Sequence, residues 1–337
     1  MSFVTKFAGI VGLALCVGSA PTVAAAKDVL KPRKIGVIVI NTGSESLARW
    51  ANNLQKAAAK LHWDVIIKNG ESNPAVVATL LPELLTQGVD AIITMAVDAP
   101  LMAQGLTEAK AKNVPVIATV VGVNPAGRDN FTAVYAINDY ELGVALANHL
   151  VDKNPKAVAV GQTATLVYAA DQLVVGAKDT LDKRGAKMTA VSDTDVTNLV
   201  NSFTQTAGDL ALAHPEANAI ISCCDFAPPI DLPALKAAHR DDMILMTRVD
   251  NPSSIQALRA GANLVLAASR TDAYNLAALD VLVDHFAKGT PVPAALLNLK
   301  ADVKIIDKTN IPASGEVYPF AQELAAHAER WGNDYQF

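Results

Sequence analysis

The side chains best placed for chemistry are polar groups standing at the ends of apolar runs. Asp250 follows Ile244-Leu-Met-Thr-Arg-Val249. Asn251-Pro252 behind it already supplies an N-cap and a first helical residue, which leaves Asp250 free to aim at a ligand, with a helix-dipole or hinge role as its alternative. Asp98 lies in Asp98-Ala-Pro100, where capping the next helix is the default use and ligand contact the second. Arg270 could clamp a carboxylate or carbonyl of a ligand, or form a hinge salt bridge. Tyr168 offers a stacking ring or is a half-buried core tyrosine. Cys224 and Asp225 end a further apolar run, and one of the two is expected to touch ligand. Asn41, Ser44, Glu45, Ser46 and Leu47 follow the first run, Glu45 with the further option of opposing a helix N-terminal dipole.

This is the chemistry of capture. No Gly-x-Ser-x-Gly elbow, His-Glu-x-x-His, phosphate loop or Gly-x-Gly-x-x-Gly after a strand occurs. The six His, at 62, 149, 214, 239, 285 and 327, have no metal spacing. An enzyme is therefore not expected, and no cofactor or metal is called for. Of three Cys, Cys16 precedes the fold, and the adjacent Cys223 and Cys224 could close only a strained ring; plain thiols are expected.

The elements that must position these residues alternate. Lys34-Ile-Gly-Val-Ile-Val-Ile40 is a continuous apolar run that stops at Asn41-Thr-Gly-Ser44 and feeds an amphipathic segment with Leu47, Trp50, Leu54 and Ala58 on one stripe. That pattern is a buried parallel strand leading into a helix. Strands are expected near 64–67, 91–94 and 114–121, with helices over 74–87 and from Asp98 to 112, and a first half ends near Tyr135. Asn138-Asp139 caps a new helix. A second set follows, with strands at 157–160, 187–191, 219–222, 243–247 and 264–268 and helices near 169–184, 196–213, 231–239, 252–260 and 272–288. Strict alternation predicts an α/β fold of parallel sheets with helices on both faces. Ten or more strands are too many for one twisted sheet, so two sheets are expected. The tail from Ile311, with Trp331 and Phe337, reads as a packed terminal helix and extension.

The 337 residues are 51% hydrophobic with a formal net charge of −5, and no basic cluster stands out. Two domains with real cores fit that length, and nucleic acid is not an expected partner. Residues 1–26 read as a cleaved signal peptide: Lys6, an apolar stretch from Phe7 to Gly18, and Ala24-Ala-Ala26 as cleavage site. The apolar stretch falls short of the roughly 20 residues of a spanning helix. Export to the periplasm follows from that address.

Gly88-Val-Asp-Ala-Ile-Ile93, Asn113-Val-Pro-Val-Ile117, His214-Pro-Glu-Ala-Asn-Ala-Ile-Ile221 and the strand-end Asp250, in that order and spacing, resemble the type I periplasmic solute-binding proteins, and the ribose- and galactose-type sugar binders of ABC importers in particular. The resemblance covers nearly the whole chain after residue 26. It implies two doubly wound lobes joined by three crossovers, near 135–138, 268–272 and 299–304, with 33–136 plus 270–299 in one lobe and 137–269 plus 300–337 in the other. It also implies a monomer that closes on a small-molecule ligand and docks on a permease. A periplasmic sensor subunit reporting to a membrane kinase or chemoreceptor is the alternative. Measured against that family, the chain departs in its cleft. The first loop has no stacking aromatic, Val120-Val121 stands where an Asp-Arg pair is usual, and Asp171 lies where an Arg is common. Cys224 aligns with an Asn and Ser269 with a Gln. Hydroxyl-gripping groups have become smaller or apolar, which implies a ligand less hydroxylated than a free sugar.

Overall fold

The computed structural model describes residues 27–294 and 302–337; the segment read as a signal peptide lies outside them. After a short strand β1 (Asp28–Val29), the first sheet is built from β2 (Lys34–Val39), β3 (Asp64–Asn69), β4 (Ala91–Met95), β5 (Val116–Val120) and β6 (Ala133–Ala136). The helices α1 (Glu45–Ala59), α2 (Pro74–Thr86) and α3 (Ala103–Ala111) intervene. Its order is β3-β2-β4-β5-β6, with every pairing parallel.

The chain then crosses through α4 (Asp139–Lys153) into β7 (Val158–Ala164), α5 (Tyr168–Lys183), β8 (Lys187–Thr194), α6 (Leu199–Ala213), β9 (Ala219–Ser222) and α7 (Pro228–Ala237). It continues through β10 (Ile244–Arg248), α8 (Pro252–Arg259), β11 (Leu264–Ala268), α9 (Asp272–Lys288), β12 (Lys304–Ile306), α10 (Phe320–Asp334) and β13 (Tyr335–Gln336). The second sheet runs β12-β11-β10-β9-β7-β8, with β12 antiparallel to β11. Two α/β lobes with mostly parallel sheets are what strict alternation predicted. Both sheets reverse their strand order beside the first strand of the lobe, between β2 and β4 and between β7 and β9, and the crevices of open α/β sheets form at such switch points.

Two features differ from the sequence reading. The strand β6 completes the first sheet where only the end of a half was expected, because Ala-Val-Tyr-Ala is too short to carry a periodic signal. The tail does not stay with the second lobe. Its β12 joins that sheet, but α10 packs on α9 and α1 of the first lobe, with Trp331 buried and its Nε1 donating to Asp280 at 2.8 Å. The expected third crossover, 299–304, lies in part outside the described residues.

The helices α4 and α5 pack backbone to backbone. A Cβ at Gly143 would strike the carbonyl oxygen of Leu173, and one at Gly176 would strike that of Tyr140. Glycine at both positions lets the two backbones touch. Gly143→Ala is expected to lower unfolding free energy by about 1–3 kcal/mol, read from urea denaturation, because both obstructing atoms are backbone and cannot swing aside.

Candidate functional site

The loops after β2, β3, β4, β5, β7, β8 and β9, with the end of β10, converge between the lobes around a small cavity. The first lobe contributes Ile40, Asn41, Ser44, Leu47, Trp50, Ser72, Ala96 and Val121. The second contributes Val167, Val196, Leu199, Cys224, Asp225, Phe226 and Arg248. The walls are mainly aliphatic and aromatic.

Backbone strain collects around it. Ala96, Val120, Leu166 and Val249, each at or just past the end of a cleft-facing strand, have φ of 59°, 61°, 66° and 64°. A β-branched residue in the left-handed region is a true outlier, and such conformations cost about 1–3 kcal/mol each and gather where a site requires a particular chain path.

Two buried polar atoms of residues that line this cavity lack a hydrogen-bond partner among the described residues: Trp50 Nε1 and Arg248 Nε. Trp50 is 1% exposed and Arg248 4%. The guanidinium spends Nη1 on a buried ion pair with Asp139 at the start of α4, whose carboxylate also accepts from Gly122 N at 3.3 Å. Burial pushes the Asp139 carboxyl up, and Arg248 pulls it part of the way back. A buried N–H without an acceptor costs roughly 1–3 kcal/mol.

Polar contacts bridge the lobes at its edges. Ser46 Oγ donates to Asp225, which also accepts from Asn251 Nδ2 at 2.9 Å. Ser253 donates to Glu45 through its hydroxyl and, at 3.4 Å, its backbone N–H. Asp98 accepts from Asn124 N at 2.9 Å and from Tyr168 N, across the lobes, at 3.3 Å. The lobes are closed on one another.

The sequence candidates therefore sort into groups. Asn41, Ser44, Leu47, Cys224 and Asp225 line the cavity, and Ser46 and Glu45 tie the lobes together beside it. Asn41 is partly committed to its own loop, accepting from Gly43 N at 2.8 Å and donating to Ser72 Oγ at 3.0 Å. Ser44 caps α1 through Leu47 N at 3.5 Å. Val120 is fully buried in the sheet, and its neighbour Val121 reaches the cavity. Tyr168 and Asp171 line a separate, solvent-open depression with Asp98 and Asp193. Desolvation first, then Asp193, raises the Asp171 carboxyl. Asp250, Ser269 and Arg270 face a small hinge-side pocket with Arg49, Asp272 and Tyr318, which meets the main cavity at Trp50. There Arg270 pairs with Glu323 at 2.7 Å and is half exposed, the hinge-bridge alternative named for it. Asp250 stands 3.9 Å from Arg49; burial raises it to about 6, and raises Asp272 to about 7.

Three expectations are corrected. Asp98 makes no capping bond; its carboxylate is drawn instead to two backbone N–H groups facing it. Asn251 occupies the N-cap position of α8 without capping it, since its side chain is spent on Asp225. Cys223 and Cys224 are joined as a vicinal disulfide rather than standing as thiols. The chain turns there from the end of β9 toward α7 and brings the two side chains together.

Arg248, Trp50, Arg49 and Phe226 were missed or read as core. Arg248 carried a usable signal, a charge ending an otherwise apolar strand two residues before Asp250. Trp50 did not, because a helix stripe reads the same whether it faces core or cleft.

Two lobes of parallel sheet, hinged and closed over a shared cavity, define a bilobal ligand-binding protein of type I periplasmic architecture. The chain belongs to the periplasmic binding protein domain family, whose model matches residues 35–290. Among solved structures it is similar to the Caulobacter myo-inositol binding protein bound to myo-inositol, at 18% identity and TM-score 0.73 over 84% of this chain and 97% of that one. It is also similar to an ABC transporter periplasmic solute binding protein from Actinobacillus succinogenes 130z with bound D-allose, at 16% identity and TM-score 0.72 over 83% and 98%. The arabinose ABC transporter component from Shewanella sp. ANA-3, bound to L-arabinofuranose, matches at 16% and 0.73 over 89% and 97%. At these identities the likeness is one of fold.

Proposed function

We propose that this protein is an exported solute-binding protein that captures a small organic solute, a sugar or a less hydroxylated relative, between its lobes in the periplasm and delivers it to an ABC permease. The observation that carries the reading is the interlobe cavity lined by residues of both lobes, two of which, Trp50 and Arg248, keep a buried N–H without a partner among the described residues. Ligand contacts to both lobes exist only in the closed form, so binding energy drives closure. The sizes of D-allose, myo-inositol and arabinofuranose in the similar proteins suit a single small ring. Carboxylates at Asp250 and Asp272 beyond Trp50 give the groove a polar end, so the guest is amphiphilic: acceptor oxygens toward Trp50 and Arg248, hydroxyls toward the hinge, carbon surface on the remaining walls.

A thermal-shift screen of monosaccharides, deoxysugars, inositols and small non-sugar solutes is expected to give a saturable rise in melting temperature with at least one member. Small-angle scattering would then show compaction from an open to a closed form. A screen without any saturable shift overturns the reading. Trp50→Phe keeps the ring and deletes one donor, so it is expected to weaken that solute about tenfold by calorimetry, with unfolding little changed.

A further inference from the structure

We infer that the Cys223–Cys224 disulfide is a wall of the ligand cavity, one that selects guests by a hydrogen-bond-free carbon face. The inference rests on the binding reading above and adds the chemical class of the guest. The disulfide lies at the tip of β9, on the switch-point side of the second sheet, where crevice loops converge. Behind it, Ala164, Ala170, Phe203 and Ala227 form one buried cluster with both cysteines. Phe203 meets Phe226 edge-on with centroids 4.9 Å apart. In front, Cys224 lines the cavity with Leu199 and Phe226 on its own side and Ile40, Leu47 and Val121 on the opposite lobe.

The chain path around the pair is fixed on both sides. Cys223 N donates to Gln162 O at 2.9 Å, and Cys224 O accepts from Thr247 Oγ1 at 2.9 Å and from Ala227 N at 3.0 Å. A bonded pair of sulfurs has no N–H or O–H to offer and is polarisable, so it suits C–H or aromatic surface. A hydroxyl pressed against it would lose its water and gain no partner. Polar groups on the same cavity are Asp225, already bonded to Ser46 and Asn251, and Arg248 and Trp50, whose unpartnered N–H groups ask for acceptor oxygens. The guest class is thus a small ring bearing acceptor oxygens on one edge and a methyl, deoxy or other carbon face on the side turned to the disulfide. The oxidising compartment to which a signal peptide would send the chain permits the bond.

The test compares D-galactose with D-fucose, its 6-deoxy counterpart, by calorimetry on oxidised protein, on protein reduced with a phosphine, and on the Cys223→Ala/Cys224→Ala and Cys223→Ser/Cys224→Ser variants. Oxidised wild type is expected to prefer the deoxy sugar by about tenfold. Reduction or the Ser double variant, which place S–H or O–H groups at the wall, is expected to remove most of that preference, whereas the Ala double variant, which adds no donor, is expected to retain it, with circular dichroism unchanged. Reduction of the wild type covers the case in which a variant fails to fold. Alkylation of both cysteines in non-reduced, denatured protein overturns the inference without any ligand. So does a preference unaltered by reduction, a preference for galactose, or no binding of either sugar. If neither sugar binds while another solute compacts the lobes, this inference falls and the binding reading stands; if no solute binds at all, the reading itself falls.

Discussion

Arg248→Met is expected to lower unfolding free energy by about 3–5 kcal/mol, measured by urea denaturation at neutral pH. The effect follows from what is left behind. Asp139 and Arg248 side chains are 2% and 5% exposed and pair with each other. Removing the guanidinium strands a buried carboxylate that keeps the Gly122 N–H, its own backbone N–H and nearby Tyr274 but no positive charge. The position of Asp139 in the first turn of α4 offers only partial compensation through the helix dipole. Methionine fills most of the volume, so the loss would come from charge and not from a cavity. The cycle is closed by Asp139→Asn, which keeps an acceptor for Gly122, and by the double variant. Arg248→Met in the Asp139→Asn background should cost less than half of what it costs alone, since no stranded charge remains. Equal costs in both backgrounds would sink the pairing.

The architecture was legible because buried parallel strands write themselves as unbroken apolar runs. Ala219–Ser222 and Leu264–Ala268 were bounded to the residue, and α9 likewise. Short or antiparallel pieces such as β6 and β12 lack both periodicity and length. The site was legible only at the level of loops. Strand order says that the tips after β2, β9 and β10 meet, but it does not say which side chain of a tip turns inward. Asp250 and Arg248 illustrate this: two residues apart on one tip, they face the hinge-side pocket and the main cavity respectively. Asp98 and Asn251 show the other limit. Both occupy N-cap positions, yet the other lobe in one case and the Asp225 carboxylate in the other compete for the side chain and win. Charged partners and tertiary N–H groups are invisible to a local pattern.

The second large effect is on pH dependence. Asp250 and Asp272 are buried around Arg49, with Asn53 donating to Asp272 at 3.2 Å and Glu316 and Glu323 adding negative charge nearby. Desolvation is the main cause of both shifts and outweighs Arg49, raising the carboxyls to about 6 and about 7. In the unfolded chain each titrates near 4. Below that pH both states hold the proton and neither residue opposes folding. As pH rises the unfolded chain releases its protons first, so stability is lost progressively from about pH 4 and the loss is complete above about pH 7, on the order of 3 kcal/mol for Asp250 and 4 kcal/mol for Asp272 at most. Other groups titrate over the same window, so the measured quantity is a difference. Wild type minus Asp250→Asn/Asp272→Asn, each followed by urea denaturation from pH 4 to pH 8, should shift toward the variant by several kcal/mol on going up in pH. A flat difference would mean that both carboxylates are already ionised and held by Arg49. Because Arg49 and Asp272 stand in the first lobe and its hinge and Asp250 in the second, opening the lobes rehydrates the same carboxylates. The closed form is therefore expected to be favoured at pH 5 over pH 8 in ligand-free scattering, with the preference absent from the double variant.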